Sequence, residues 1–411
     1  MALADNGYDA IVVGARCAGS PAAMLLARKG YKVLVVDRTT FPSDTLSTHL
    51  IHAPGVAALR RWGLLDRLVA TEVPPINRYA LDFGPIRISG APRPADGSST
   101  AYSPRRTVLD KLLVDAAAEA GAEVREAFTV EEILMEDGRV TGIRGHSRDG
   151  RSVTEHARVV IGADGRHSRV AETVKVERYN ERPRLEQTYY TYWSGLPTEA
   201  LEVYIRPDRG FGVMPTHDGL TLLVVGWPYA EADAFKHDIE GNCLKTLELV
   251  PEFAERVRQA KREERFTGGS NLNFFRKPFG NGWALVGDAG YEKDNITAQG
   301  ISDAFRDAEL CVTALDETFT GARSFNDAMA DYHRIRDEQT MPVFEFTCQM
   351  ATLEPPPPEM QQLLGAVSGQ AEVMDDFVSL LAGTVSPAYF FSEENVGKIM
   401  AGAGASATAT S

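Results

Sequence analysis

The 411-residue chain has only four cysteines, Cys17, Cys243, Cys311 and Cys348, and no two of them form a C-x-x-C pair. That scatter excludes a disulfide framework and a zinc knuckle, and it suits a reducing, cytoplasmic setting. No apolar run reaches the roughly 18 residues that a membrane helix needs, so no membrane partner is expected. The N-terminal segment has no cationic stretch leading into a long apolar one, so no secretory leader is expected. Positive charge is in deficit: 43 Lys and Arg stand against 57 Asp and Glu, a net charge of −14. A chain without a large basic face is a poor ligand for nucleic acid or anionic lipid. H-E-x-x-H and other zinc spacings are absent, so no metal is expected, and there is no G-x-S-x-G elbow. No internal repeat is present.

What remains is an ordinary soluble composition, 44% apolar and 24% charged, long enough for two or three domains' worth of core. Residues 8–37 read as strand, turn, helix, strand. "YDAIVVGA" is a short apolar run that stops on glycine. "SPAAMLLARKG" has helical spacing, with Pro21 in its first turn and Gly30 as its stop, and "YKVLVVDR" is a buried strand ending on an acid. The unit has βαβ length. Its turn, "GARCAG", is a nucleotide loop whose middle glycine is replaced by Arg16. Gly14 supplies the tight turn and Gly19 lets helix approach strand. The amides around Cys17 and Ala18 at the helix start can hold phosphate oxygens. Arg16 removes one close-approach site, but its guanidinium can itself reach a phosphate. Asp37, beside Arg38, stands about 20 residues on, where an acid accepts ribose hydroxyls.

Further along, "TVLDKLLVDAAAEAG" reads as an amphipathic helix, and "ARVVIGADG" and "GWALVGDAG" as buried strands ending in glycines. Between them lie aromatic, alternating strands ("QTYYTYWSG", "LEVYIRP", "GFGVMP", "LTLLVVGWP") that read as an inserted antiparallel sheet. Half of its aromatics must face one side. Tyr192, Phe211, Met214, Pro215 and Trp227 are the candidates for a flat apolar substrate pocket.

Two distant segments join the first loop to make a family resemblance. "VVIGADGRHS" (159–168) resembles the D-G motif of flavoprotein monooxygenases of the para-hydroxybenzoate-hydroxylase type. "ALVGDAGYEKDNITAQGISDAF" (284–305) resembles their G-D motif with its flavin-facing loop and helix. The resemblance implies resident FAD on a Rossmann-like α/β domain with a parallel sheet, an inserted, mostly antiparallel substrate domain and a helical C-terminal region. It implies FAD-binding pieces at 1–75, 101–178 and 277–325, substrate-domain pieces at 76–100 and 179–276 and helices at 326–400; the small, polar composition of 401–411 reads as a disordered tail.

It also implies roles. Asp288, after Gly287, would bond the ribityl chain. Gln299, Gly300 and Ile301 would present amides to the flavin pyrimidine. Asp164 and Arg106 would lie near FAD, and Thr48 and His49 in the segment 41–55 would touch the ring. Asn295 and Thr297 depart from the family's usual proline and glycine on the side where oxygen and substrate meet. With His49, they are the catalytic candidates.

Only one dinucleotide fingerprint appears, so NAD(P)H would visit, reduce the flavin and leave. The activity implied is hydroxylation or epoxidation of an aromatic or polycyclic small molecule by O2 through a flavin C4a-hydroperoxide, in a monomer or homodimer. The altered loop leaves room for a geranylgeranyl-reductase-like enzyme acting on a C=C bond. "FGVMP" lacks the tryptophans of flavin halogenases.

Overall fold

The computed structural model describes the backbone of residues 7–409 and the side chains of 7–403. Apolar β-branched runs without polar alternation form the central sheet, because strands covered on both faces have no solvent side to mark. They are β1 (Tyr8–Val13) and, after helix α1 (Gly19–Arg28), β2 (Val33–Val36). Helix α2 (Arg106–Glu119) leads to β3 (Glu123–Arg125), and β4 (Ser152–Gly162) follows a β-hairpin.

The inserted sheet is built on β5 (Glu186–Ser194), β6 (Leu201–Arg206), β7 (Arg209–Pro215) and β8 (Thr221–Pro228), with Tyr79–Asp82 and Arg87–Gly90 completing one edge. Its pairings are antiparallel except where β6 runs parallel to Tyr79–Asp82. The chain then returns to the first sheet through β9 (Trp283–Leu285) and helix α3 (Gly300–Phe319). Helix α4 (Phe325–Ala351) and four shorter helices finish the fold.

In the first sheet β3–β2–β1–β4–β9 run parallel, Phe279–Gly280 adds an antiparallel edge beside β9, and α1, α2 and α3 pack on one face around Ala22, Ala23, Leu109, Ala308 and Cys311. This is the mixed α/β fold with a separate antiparallel sheet and a helical end. One expectation changes: the tail at 401–411 is helical through Ala409, continuing the helix that starts at Glu393. Residues 410–411 lie outside the described residues.

The inserted sheet buries both faces. Tyr190, Tyr192, Met214 and Leu222 point to one side, with Tyr79, Leu50 and the C-terminal helices. Tyr189, Phe211, Val225 and Trp227 point to the other, against the helices at 232–258. Phe211 and Trp227 therefore leave the list of substrate-facing residues. Trp227 stacks on Tyr189 at 5.4 Å and on Phe235 at 3.8 Å, and Phe211 packs on Phe253 at 4.9 Å. Pro215 is buried where β7 ends.

Candidate cofactor and substrate site

Every acidic motif residue read from the sequence sits just past the carboxyl end of a parallel strand. Asp37 follows β2, Asp164 follows β4 and Asp288 follows β9, while the loop at Gly14 follows β1. This is the edge at which open α/β sheets take their ligands. Gly14 holds φ +101°, and a Cβ there would lie 2.4 Å from the Ala163 carbonyl oxygen. A Cβ on Gly19 would lie 1.8 Å from the Gly14 carbonyl oxygen. Neither site accepts a side chain, and the strand–helix approach is as close as a phosphate-binding turn requires. Asp37 accepts the Ala15 and Thr39 amides, each at 2.8 Å, and so braces the loop; Arg38 beside it is exposed.

Arg16 does not point at open space. Its guanidinium donates to Asp110 at 2.5 Å and to the carbonyl and hydroxyl of Ser43 at 3.3 and 3.1 Å. Arg106 donates to the same carboxylate at 3.0 and 3.1 Å, and the Cys17 thiol at 3.4 Å, so Asp110 is a fully buried hub behind the loop. Arg16 thus braces the loop against Asp110 and the segment at Ser43. Arg16→Gly is expected to purify with FAD at the wild-type ratio of flavin to protein absorbance, while losing about 1–3 kcal/mol of stability. Loss of flavin in that variant would show that the guanidinium holds the nucleotide.

The G-D turn touches this loop: a Cβ on Gly287 (φ +58°) would come within 2.9 Å of the Ala18 Cβ. Asp288 is exposed, yet desolvation pushes its carboxyl above the ordinary range, against the pull of Arg166, Lys293 and Arg106. A group both accessible and desolvated faces a recess, not the outer surface. Asp164 is likewise pushed up by burial; one oxygen accepts the Arg169 amide at 2.7 Å and the other has no partner. At the start of α3, Gly300 is exposed and nothing lies within 4 Å of where its Cβ would be, while Gln299 and Ile301 are buried. Those first-turn amides have no intrahelical acceptors.

The flavin-facing loop is held from several sides. The Thr297 carbonyl takes a hydrogen bond from His52 Nε2 at 3.0 Å, and the Thr297 hydroxyl pairs with Thr347 of α4 at 2.9 Å. That hydroxyl is therefore tied into the frame, which weakens Thr297 as a reacting group. Asn295 donates to the Thr188 hydroxyl at 2.9 Å. It walls a small cavity with Thr48, Thr188, Tyr190, Val224 and Gly269.

His49 adopts φ +61°, is completely buried, and shares a short hydrogen bond between its Nε2 and the Tyr192 hydroxyl; its Nδ1 has no partner. Burial, then Arg106 and Arg105, push its imidazole down to about 3, so it is neutral and bonds without carrying charge. Arg105 lies 3.9 Å above the Tyr192 ring.

Several residues escaped the sequence reading. His52 is pushed by burial to about 4 and ties Tyr79 of the inserted sheet (2.7 Å) to the loop. Lys293 pairs with Asp303 in the first turn of α3, and Arg306 joins at 2.8 Å. Burial alone would raise Asp303, but these two cations outweigh it and hold the carboxyl at about 2. The available signal was "EKD" (292–294), three charges inside a stretch between a buried strand and a buried helix.

Residues 7–347 match the FAD binding domain family. The chain belongs to that family. It is an FAD-dependent oxidoreductase of the group resembling para-hydroxybenzoate hydroxylase. Two relatives from Methanopyrus kandleri are digeranylgeranylglycerophospholipid reductases. Reductase 2 is 28% identical over 77% of this chain and 79% of its own length. Reductase 1 is 29% identical over 85% and 91%. A flavoprotein/dehydrogenase from Cytophaga hutchinsonii superposes with a TM-score of 0.83 at 18% identity, covering 97% of this chain and all of that one.

The residues present fit FAD. The glycine turn, braced by Asp37, offers amides for the pyrophosphate. Asp288 faces the recess where a ribityl chain would pass. The open start of α3 offers amides and a positive helix end where reduced flavin carries negative charge. Among the described residues, no helix is long and apolar enough to cross a membrane.

Proposed function

We propose that the chain is an NAD(P)H-consuming monooxygenase that hydroxylates or epoxidises an aromatic or polycyclic small molecule. The observation that supports this reading most is the aromatic face of the inserted sheet, Tyr190, Tyr192 and Met214, which lies on the side where Thr48 and Asn295 of the flavin-facing segments meet the sheet. Bound and reduced, FAD supplies the oxygen-activating chemistry. The chain's residues bind, orient and keep water out. Asp288 and the Gly14–Gly19 turn anchor the cofactor. Gly300 and Ile301 hold negative charge at its pyrimidine end. Tyr190 and Tyr192 form an apolar wall for a flat ring. His49, neutral and with Nδ1 free, offers one hydrogen bond in the same region. One dinucleotide turn serves the resident cofactor, so the reductant binds transiently.

A second reading is reduction of a C=C bond, favoured by the names of the two M. kandleri relatives, which cover most of the chain. The test is turnover with NADH or NADPH against panels of aromatic and prenylated compounds, with and without oxygen. A product heavier by one oxygen, formed with oxygen uptake, is the expected result. A product heavier by two hydrogens, formed without oxygen, would replace the monooxygenase reading with the reductase one.

A further inference from the structure

Two buried carboxyl groups meet where the flavin-facing loop joins the inserted sheet. Glu186 opens β5 and Asp294 opens the loop; they are 4% and 2% exposed. Each carboxyl interacts with the other, and each keeps an oxygen without a hydrogen-bond partner, Oε2 of Glu186 and Oδ2 of Asp294. Space is cleared for the pair. A Cβ on Gly226 of β8 would sit 1.8 Å from Glu186 Oε1, so the glycine leaves room for the carboxyl in its present position.

Asp294 is otherwise fixed by the Ile296 amide at 3.1 Å and by Asn273, which accepts its own amide at 2.7 Å. No cation pairs with either carboxylate among the described residues. Lys293 next door is committed to Asp303. Cys348 is the titratable group facing the pair from α4; its thiol is raised chiefly by its own burial. On β8 the facing residue is Gly226.

We propose that Glu186 and Asp294 share one proton and so latch the loop at 294–299 to the inserted sheet, positioning that loop against the flavin. The proposal rests on the FAD site and not on which reaction the site performs. Two carboxylates in contact without a cation cannot both ionise at modest cost, whereas an O–H···O⁻ pair is a strong bond. The neighbouring Asn295–Thr188 bond is a second point on the same seam. With the proton lost, the two charges repel across the seam and the loop moves away from β5.

Burial raises both groups, Asp294 to about 6 and Glu186 further above the ordinary range. The folded state therefore binds more protons than the unfolded one. The pair's share of stability is present at low pH and is lost as pH rises from the ordinary carboxylate range through the folded values.

The test compares wild type, Glu186→Gln and Glu186→Leu as holoproteins. In wild type the flavin visible band and FAD affinity are expected to change as pH rises above about 6 and through the higher folded value of Glu186. Glu186→Gln, which keeps a donor to Asp294 but cannot ionise, is expected to hold the low-pH behaviour throughout. Glu186→Leu is expected to show the high-pH behaviour at every pH, with FAD bound roughly tenfold more weakly. The infrared difference between wild type and Glu186→Gln at about pH 7 is expected to contain one lost protonated carboxyl band.

The same pH response in Glu186→Gln as in wild type, or no carboxyl band in the difference spectrum, overturns the proposal. So does a Glu186→Leu protein indistinguishable from wild type. If Glu186→Leu does not fold, the other two measurements still decide. None of these readouts depends on finding the substrate, so they stand apart from the outcome of the turnover test.

Discussion

Replacing Asp110 with alanine is expected to destabilise the fold by about 3–5 kcal/mol and to lower FAD content with it. The side chain is completely buried and accepts from Arg16, Arg106 and the Cys17 thiol. Arg106 is itself buried, on the first turn of α2, and cannot turn its charge to water when its acceptor goes. Arg16 is partly exposed at 23% and can escape, so the larger share of the cost falls on Arg106. Asp110→Asn keeps the volume and one acceptor oxygen but removes the negative charge, and should fall between wild type and alanine. Thermal unfolding of the apoprotein measures the cost without the contribution of bound cofactor. A loss under about 1 kcal/mol would mean that both guanidinium groups find other acceptors. The consequence for function follows from position: the hub sits directly behind the turn that carries Cys17 and Ala18. A loosened hub costs the loop its shape before it costs the sheet its pairing.

That hub also marks the limit of what the sequence discloses. Gly14, Gly19 and Asp37 lie within one βαβ unit, where strand length and turn chemistry leave little choice, and each stands where the spacing put it. Asp164 and Asp288 were legible because their segments resemble the family's D-G and G-D motifs, and each stands just past the end of a parallel strand. The Arg16–Asp110 contact joins residues 94 positions apart, and no local pattern announces it.

The inserted sheet shows a different limit. Period-two alternation says that Tyr190 and Tyr192 share a face and that Tyr189 lies opposite. It does not say which face meets the flavin, because helices cover both and neither is marked by polar residues. Phe211 and Trp227 went to the wrong side on that account. Thr297 illustrates a third limit. Its hydroxyl is claimed by Thr347, a partner 50 residues away on a helix whose packing position only the assembled fold supplies. The buried Glu186, Asp294 and His52 belong with it, since polar residues placed by tertiary contact look like surface residues in a linear reading.

Asp288→Ala is expected to weaken FAD binding by about tenfold to a hundredfold while leaving the apoprotein as stable as wild type or slightly more so. The opposite signs come from one observation: the carboxyl is accessible and yet desolvated, with no hydrogen bond to the frame to compensate. In the apoprotein it is a cost. Its folded-state affinity for a proton is raised, so it withdraws stability as pH rises above the ordinary carboxylate range, and alanine relieves that. With FAD bound, the same carboxylate would accept ribityl hydroxyls, and hydrogen bonds to a charged group are worth about 1.5–3 kcal/mol. That range converts to the stated change in dissociation constant. Asp288→Asn separates charge from bonding: it should regain part of the affinity and should lose that decline in apoprotein stability with rising pH. The measurements are FAD titration by fluorescence quenching and apoprotein melting across pH. If affinity and apoprotein stability fall together in Asp288→Ala, the residue is a structural turn acid and the ribityl assignment is lost. If stability holds and flavin is lost, the recess at the end of β9 is the cofactor channel, and Gly287 is small because the turn must pass the Ala18 methyl to place that one carboxylate in it.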